Sequence, residues 1–271
     1  MWLALLGLVF AQEGDPSLIN QDSGPQLSLS AELGLTAALY HVVQLGENGT
    51  EIDYVDEGGQ DNLFAFARLE GSGTFGRSTV TLLYQPINLQ TNVVFFEDKV
   101  IETETFVAGT PMNLQYGFSF WRASWTWDLA KSDEIRTGIG VSLQIRNATI
   151  EFTSADGTQR ISNRDVGPVP VLKLVHRRPI GDRFYFFGEV DGFWAPIRYL
   201  NGGQTDVEGA IIDASLRGGM KLKHGAESYI NLRWIGGGAV GTSSEPDQPG
   251  GDGFNRNWIH TLNLSLGFTL R

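Results

Sequence analysis

Apolar and polar side chains alternate with a period of two along most of this chain, and the apolar set is almost free of charge. From Gln26, the residues Leu27, Leu29, Ala31, Leu33, Leu35, Ala37 and Leu39 alternate with Ser28, Ser30, Glu32, Gly34 and Thr36. Successive side chains of a β-strand point to opposite faces, so this spacing collects the apolar groups on one side. The final segment repeats the device with Trp258, Leu262, Leu264, Leu266, Phe268 and Leu270. Eight similar segments fall between: Asn62–Glu70, Ser78–Gln85, Met112–Leu129, Ile135–Phe152, Gly167–Val175, Arg183–Phe193, Gly209–Leu222 and Ser228–Gly236. About ten strands result. Within Met112–Leu129 the apolar phase switches from Met112, Leu114, Tyr116, Phe118 and Phe120 to Trp121, Ala123, Trp125, Trp127 and Leu129. That switch predicts a β-bulge near Phe120.

The connections alternate between long and short. The long ones are Gln44–Asp61, Pro86–Pro111, Thr153–Val166, Ala195–Glu208 and Gly237–Asn257; the short ones are Gly71–Arg77, Ala130–Glu134, His176–Asp182 and Lys223–Glu227. A soluble sandwich buries its apolar face against a second sheet and has no need for such alternation. A transmembrane barrel with both termini in the periplasm requires it, with short periplasmic turns and long extracellular loops. Tyr84, Trp194, Trp234 and Trp258 fall near the expected extracellular ends, and Trp127, Phe184 and Phe268 near the periplasmic ends. Two aromatic belts at interface depth fit a bilayer. The expected fold is therefore all-β: an up-and-down antiparallel transmembrane barrel over residues 26–271.

Composition narrows the chemistry. The net charge of −11 disfavours nucleic acid as a partner, and the absence of cysteine excludes disulfides, thiolate metal sites and thiol nucleophiles. Met1–Ala11 is apolar but too short to span a bilayer, and the chain turns polar at Gln12. It is expected to be a signal peptide cut after Ala11, with residues 12–25 as a periplasmic linker.

On these features the chain from Gln26 to Arg271 resembles bacterial outer-membrane β-barrel proteins. The last strand, from His260 to Arg271, is similar to the C-terminal signal read by the outer-membrane assembly machinery. Gly267, Phe268 and Leu270 fit that signal; Arg271 stands where the family has an aromatic residue. The resemblance implies outer-membrane localisation, with membrane lipids, lipopolysaccharide and the assembly machinery as partners, and no cofactor.

If lipid covers the apolar face, the other face lines the lumen. Its charged residues are Glu32, Arg68, Glu70, Arg122, Asp128, Arg136, Lys173, Glu189, Asp191, Asp213, Arg217, Lys221 and Arg233, joined by Gln144 and Asn231. Buried charges are costly unless paired, and near balance of sign suggests an ion-pair network filling a narrow barrel instead of a selective pore. Inward Gly138, Gly140, Gly219 and Gly267 are expected to make room for long Arg and Lys neighbours. Phe64, Phe66, Tyr185 and Phe187 share the inward phase. They read either as packing around the charged stems or as an apolar niche for an acyl chain or small hydrophobic solute.

Other motifs carry less. Gly71–Gly76 matches a dinucleotide-binding glycine pattern, but it lies in a short turn with no helix following. His260 faces outward beside Trp258. Lipid-acting enzymes of this barrel class use a Ser–His pair on the lipid face, and no outward Ser falls at that depth on the neighbouring strands. Omptin-type proteases pair Asp with His at the rim, and no Asp-x-His occurs here. The expected extracellular loops are acidic: Glu47, Glu51, Asp53, Asp56, Glu57 and Asp61; then Glu97, Asp98, Glu102 and Glu104; then Glu245, Asp247 and Asp252. They suit solvation, or capture of divalent cations that bridge to lipopolysaccharide phosphates. The leading expectation is a non-enzymatic barrel with a structural or ligand-contact role. A narrow pore for small solutes and a lipid-modifying enzyme are the alternatives.

Overall fold

The computed structural model describes residues 24–132, 135–196, 206–243 and 249–271. The expected leader, most of the linker, and Glu245 and Asp247 lie outside these residues. The strands are β1 (Gln26–Leu45), β2 (Ile52–Asp53), β3 (Leu63–Phe75), β4 (Ser78–Gln85), β5 (Asn88–Val94), β6 (Lys99–Ile101), β7 (Glu104–Phe106), β8 (Pro111–Lys131), β9 (Arg136–Ser154), β10 (Arg160–Ile180), β11 (Phe184–Pro196), β12 (Asp206–Lys221), β13 (Glu227–Thr242) and β14 (Phe254–Leu270).

Ten of these form the wall, in the order β1-β3-β4-β8-β9-β10-β11-β12-β13-β14, every pair antiparallel. β14 returns to pair with β1 from Leu29↔Leu270 to Leu45↔Asn255, and the ring closes. Closure matters because an unpaired edge in hydrocarbon leaves backbone groups with no partner. β5 continues the wall above β4, pairing with the upper part of β8. The outer face is a band of exposed apolar residues: Leu27, Leu33 and Leu35 on β1, Val141 and Leu143 on β9, Leu264 and Leu266 on β14. Trp121 and Tyr84 stack at its upper edge, ring centroids 4.6 Å apart, and Trp127, Phe184 and Phe268 stand at the lower edge.

Two expectations are corrected. β8 has no bulge near Phe120. Its even-numbered side chains point inward from Met112 to Asp128, and its register with β9 is unbroken until Asp128/Ala130. What changes at Phe120 is the surroundings. Below it lipid covers the outside of the strand, so the tryptophans point out. Above it the chain has left the bilayer and a protein core fills the inside, so Met112, Leu114 and Tyr116 point in. The long connections also hold more strand than expected. Thr153–Val166 is a hairpin in which β9 and β10 rise above the membrane to a turn at Ser154–Gln159. There Asp156 accepts hydrogen bonds from Ser154 Oγ and from the Thr158 amide, which hold its carboxyl down at about 2.

Candidate functional site

The lumen is stratified. At the periplasmic rim Arg177 and Arg271 both pair with Glu227, at 2.7 and 3.2 Å, and Lys221 lies across from Glu227 in register. Above them Arg136 donates to Asp128 and Thr126. Gly267 and Gly219 sit where a Cβ would lie 2.2 Å from the rings of Tyr229 and Tyr185. These glycines therefore make room for tyrosines folded across the wall, and the expectation that they clear space for Arg and Lys is corrected at both positions.

The central layer holds Arg68, Arg122, Lys173, Arg217 and Arg233 against Glu32, Glu70, Glu189, Asp191 and Asp213, nearly all buried. Asp213 on β12 receives Arg122 from β8 at 2.9 Å, Arg68 from β3 at 3.1 Å, and its near neighbour Arg233. β3 and β8 each stand four places from β12 around the ring, so these side chains cross the lumen. Lys173 pairs with Glu189 and with Asp191 at 2.8 Å. Arg217 pairs with Glu32 at 2.9 Å, and Asn231 and Ser265 donate to the same carboxylate. Gln144 accepts twice from Arg122. Each charge meets opposite charge on several sides, the condition under which burial is tolerated.

The aromatic residues of the expected niche are not brought together. Tyr185 and Phe187 lie low, their rings under Arg177 and Arg217 at 3.7 and 5.1 Å. Phe66 is buried in the upper half, and Phe64 packs against the extracellular core.

That core lies above the bilayer. Val43, Leu45, Ile52, Tyr54, Leu89, Phe95, Ile101, Phe106, Met112, Leu114, Tyr116, Ile150, Phe152 and Ile161 form one buried cluster. The 46–62 connection and β5 to β7 fold over the barrel mouth to build it. His41 lies beneath, bonded to Gln60 at 2.7 Å and ringed by Tyr54 and Tyr116. Burial pushes the Tyr54 phenol well above its usual range.

Between the cap and the charged layer is a cavity of about 330 Å³, within the range of small-ligand sites. Its walls are mostly apolar: Ile87 and Phe118, Val169 and Phe193, Ile211, Ile235, Ala239 and Ile259. One charged pair borders it, Arg146 with Asp165. None of these residues was singled out for a niche from the sequence. The signals that mark the place are the spacing Pro168-x-Pro170 and the run Gly236–Gly238, which thin or interrupt the wall around it.

The acidic loop residues are engaged both within their own loops and between loops. Asp53 caps the amides of Val55 and Asp56, Asp252 those of Glu47 and Phe254, and Glu57 pairs with Lys99 at 2.6 Å. Among the described residues no group of three or more His, Asp or Glu side chains converges as a metal site. His260 stacks outside the barrel between Tyr40 and Trp234, at 5.8 and 5.6 Å. Gly71–Gly76 ends in a tight antiparallel turn at Gly76, whose φ of +58° suits glycine.

The Escherichia coli outer-membrane protease OmpT superposes with a TM-score of 0.55 at 9% identity, covering 93% of this chain and 97% of its own. The fold is that of bacterial outer-membrane β-barrels. The outer membrane is the compartment it implies. The transport unit of the E. coli autotransporter AIDA-I matches at a TM-score of 0.43 and 10% identity, over 99% of this chain and 96% of its own. The Pseudomonas putida toluene transporter TodX matches at 0.34 and 7%, over 94% and 93%. No protein-family model and no curated protein matches the sequence. The likeness to OmpT concerns architecture alone.

Proposed function

We propose that this outer-membrane barrel does not conduct, and that it works by contacting a ligand in its extracellular half. The observation that carries the reading is the convergence on Asp213 of Arg68 and Arg122 from across the barrel and of Arg233 from the adjoining strand. Three guanidinium groups meeting one carboxylate, two of them reaching over the lumen from β3 and β8, leave its middle occupied by side chains. An ion crossing it would have to break paired buried charges, each break costing several kcal/mol. A second seal, the apolar cap, supports the same reading. With the through-route shut at two levels, the space left for a ligand is the apolar cavity between them. Planar-bilayer recording tests the proposal. Purified protein is expected to insert without reproducible ohmic steps; steady single-channel steps in the unaltered chain would overturn it.

A further inference from the structure

The wall beside the cavity is not fully zipped. β10 and β11 pair from Ile180↔Phe184 up to Leu172↔Gly192 and no further. Above that point β10 continues to Arg160, paired only with β9, and β11 continues to Pro196, paired only with β12. Among the described residues no strand fills the seam between them.

The cause is legible in the chain. Pro168 and Pro170 lie on β10 just above the last pair, and neither has an N–H to donate. The β9–β10 register runs through both prolines without interruption, Pro168 opposite Ile145 and Pro170 opposite Leu143. Alternate residues of an antiparallel strand bond to opposite neighbours. The missing donors are therefore those that would have faced β11, which is the edge position proline tolerates.

The depth of the seam matters as much as its presence. Leu143 and Ile145 are half exposed on the lipid side, and Ile145 lies opposite Trp121 of the upper aromatic belt. The lower part of the seam thus opens within the outer-leaflet half of the apolar band. Both lips belong to the cavity wall: Gly167 to Pro170 on one side, Phe193 on the other. Above, the cavity shares Tyr116 with the cap cluster. Below, it ends at Ile235 and Thr261, which adjoin the charged layer. The cap cluster lies over it, the charged layer lies under it, and one side borders the seam.

One polar atom is unspent. Arg146 gives one nitrogen to Asp165, yet its Nε is buried with no hydrogen-bond acceptor among the described residues. It borders the cavity beside Phe118, whose ring lies 6.0 Å from the guanidinium.

We propose that the seam between β10 and β11 is a lateral portal through which a single acyl chain with an acidic head group enters the cavity from the outer leaflet, its head held at Arg146. The inference rests on the closed-lumen reading, because an open lumen would give the cavity an aqueous route.

The chain has no cysteine, so one introduced thiol reports alone. Val169→Cys places it on the portal lip, and Ala239→Cys places a second reporter on the far wall of the cavity. Each variant, folded in phosphatidylcholine vesicles, is treated with pyrenyl maleimide dissolved in the membrane or with a sulfonated maleimide in the water. The membrane-dissolved reagent is expected to react at least about tenfold faster, since charge is excluded from hydrocarbon. cis-Parinaric acid, a fluorescent single-chain fatty acid, is expected to protect both thiols, and Arg146→Gln to abolish that protection. Faster labelling by the sulfonated reagent would overturn the lipid-side portal. Preferential membrane labelling without protection would overturn the acyl ligand. Protection unchanged in Arg146→Gln would overturn the head-group assignment. Bilayer conductance tests the closed lumen separately, so a failure there is distinguishable from any of these.

Discussion

At the scale of single residues, the lumen shows how much depends on one carboxylate. Asp213 is fully buried and receives three arginines from three strands. Its replacement by Ala would leave Arg68, Arg122 and Arg233 facing one another without water. Breaking a buried pair by removing one partner costs about 3–5 kcal/mol, and Asp213→Ala is expected to fall in that range or above. The urea midpoint of unfolding in detergent micelles, followed by tryptophan fluorescence, measures it. An unchanged midpoint would mean that water already enters the layer. Gly267 makes a smaller, steric case. A side chain there meets the Tyr229 ring, so Gly267→Val is expected to cost about 1–3 kcal/mol by overpacking. The partner change Tyr229→Ala in the same chain should recover part of that loss, which a double-mutant cycle reads directly.

At the scale of elements, the cap and the seam behave differently from the strands below them. Tyr54 lies in the cap core with its hydroxyl lacking a hydrogen-bond partner among the described residues. An unsatisfied buried hydroxyl contributes nothing favourable, so Tyr54→Phe is expected to hold or raise cap stability. The pH dependence has a definite sign. In the opened chain the phenol ionises near 10; in the closed cap burial raises it well above that. Opening releases a proton, so cap stability is full below about pH 10 and falls as pH rises beyond it. Tyrosinate absorbance is expected to lag that of free tyrosine and then rise with cap opening, and Tyr54→Phe should move that opening to higher pH. The seam gives a matching prediction: Pro168→Thr with Pro170→Thr restores two donors toward β11, and amide exchange at Trp194, the next β11 residue after Gly192 to face β10, should slow. These elements also mark the limit of what the sequence discloses. The ten wall strands and their lipid-facing sides follow from period two alone, because lipid imposes the same demand on every strand. The cap does not follow, because its apolar residues keep the same alternation with the opposite meaning. Met112 and Trp125 both lie on β8, and only the tertiary fold shows that one faces a protein core and the other the bilayer. The cavity was hidden for a related reason. Its walls are scattered residues from seven wall strands and the Ile87 connection, and Pro168-x-Pro170 and Gly236–Gly238 mark only where the wall thins, not what it encloses.

At the scale of the whole molecule, the proposed reading gives the barrel two seals in series, and the conductance of a series is set by its least permeable member. A ten-stranded barrel is only a little wider than the eight-stranded kind whose interior side chains just fill. The charged layer therefore needs no plug domain to close it. The cap lies over the mouth as a separate layer, built on an apolar cluster that contains no charged residue. Two variants separate the seals. In the first, Arg122→Ser and Asp213→Ser together empty the centre of the layer while removing one charge of each sign. In the second, the segment 95–110 is replaced by Asn-Gly. Val94 and Pro111 are already paired across that gap, and Asn-Gly is the two-residue connection that suits a hairpin. Either change alone is expected to leave the bilayer current at baseline, because the other seal remains. Combined, they should yield discrete steps that vanish when the native Arg122 and Asp213 are restored. Current in the first variant alone would show that the cap leaks. Current in the second alone would show that the crossed arginines move apart under voltage. Gel mobility of the unheated protein distinguishes a folded, sealed barrel from one that failed to insert.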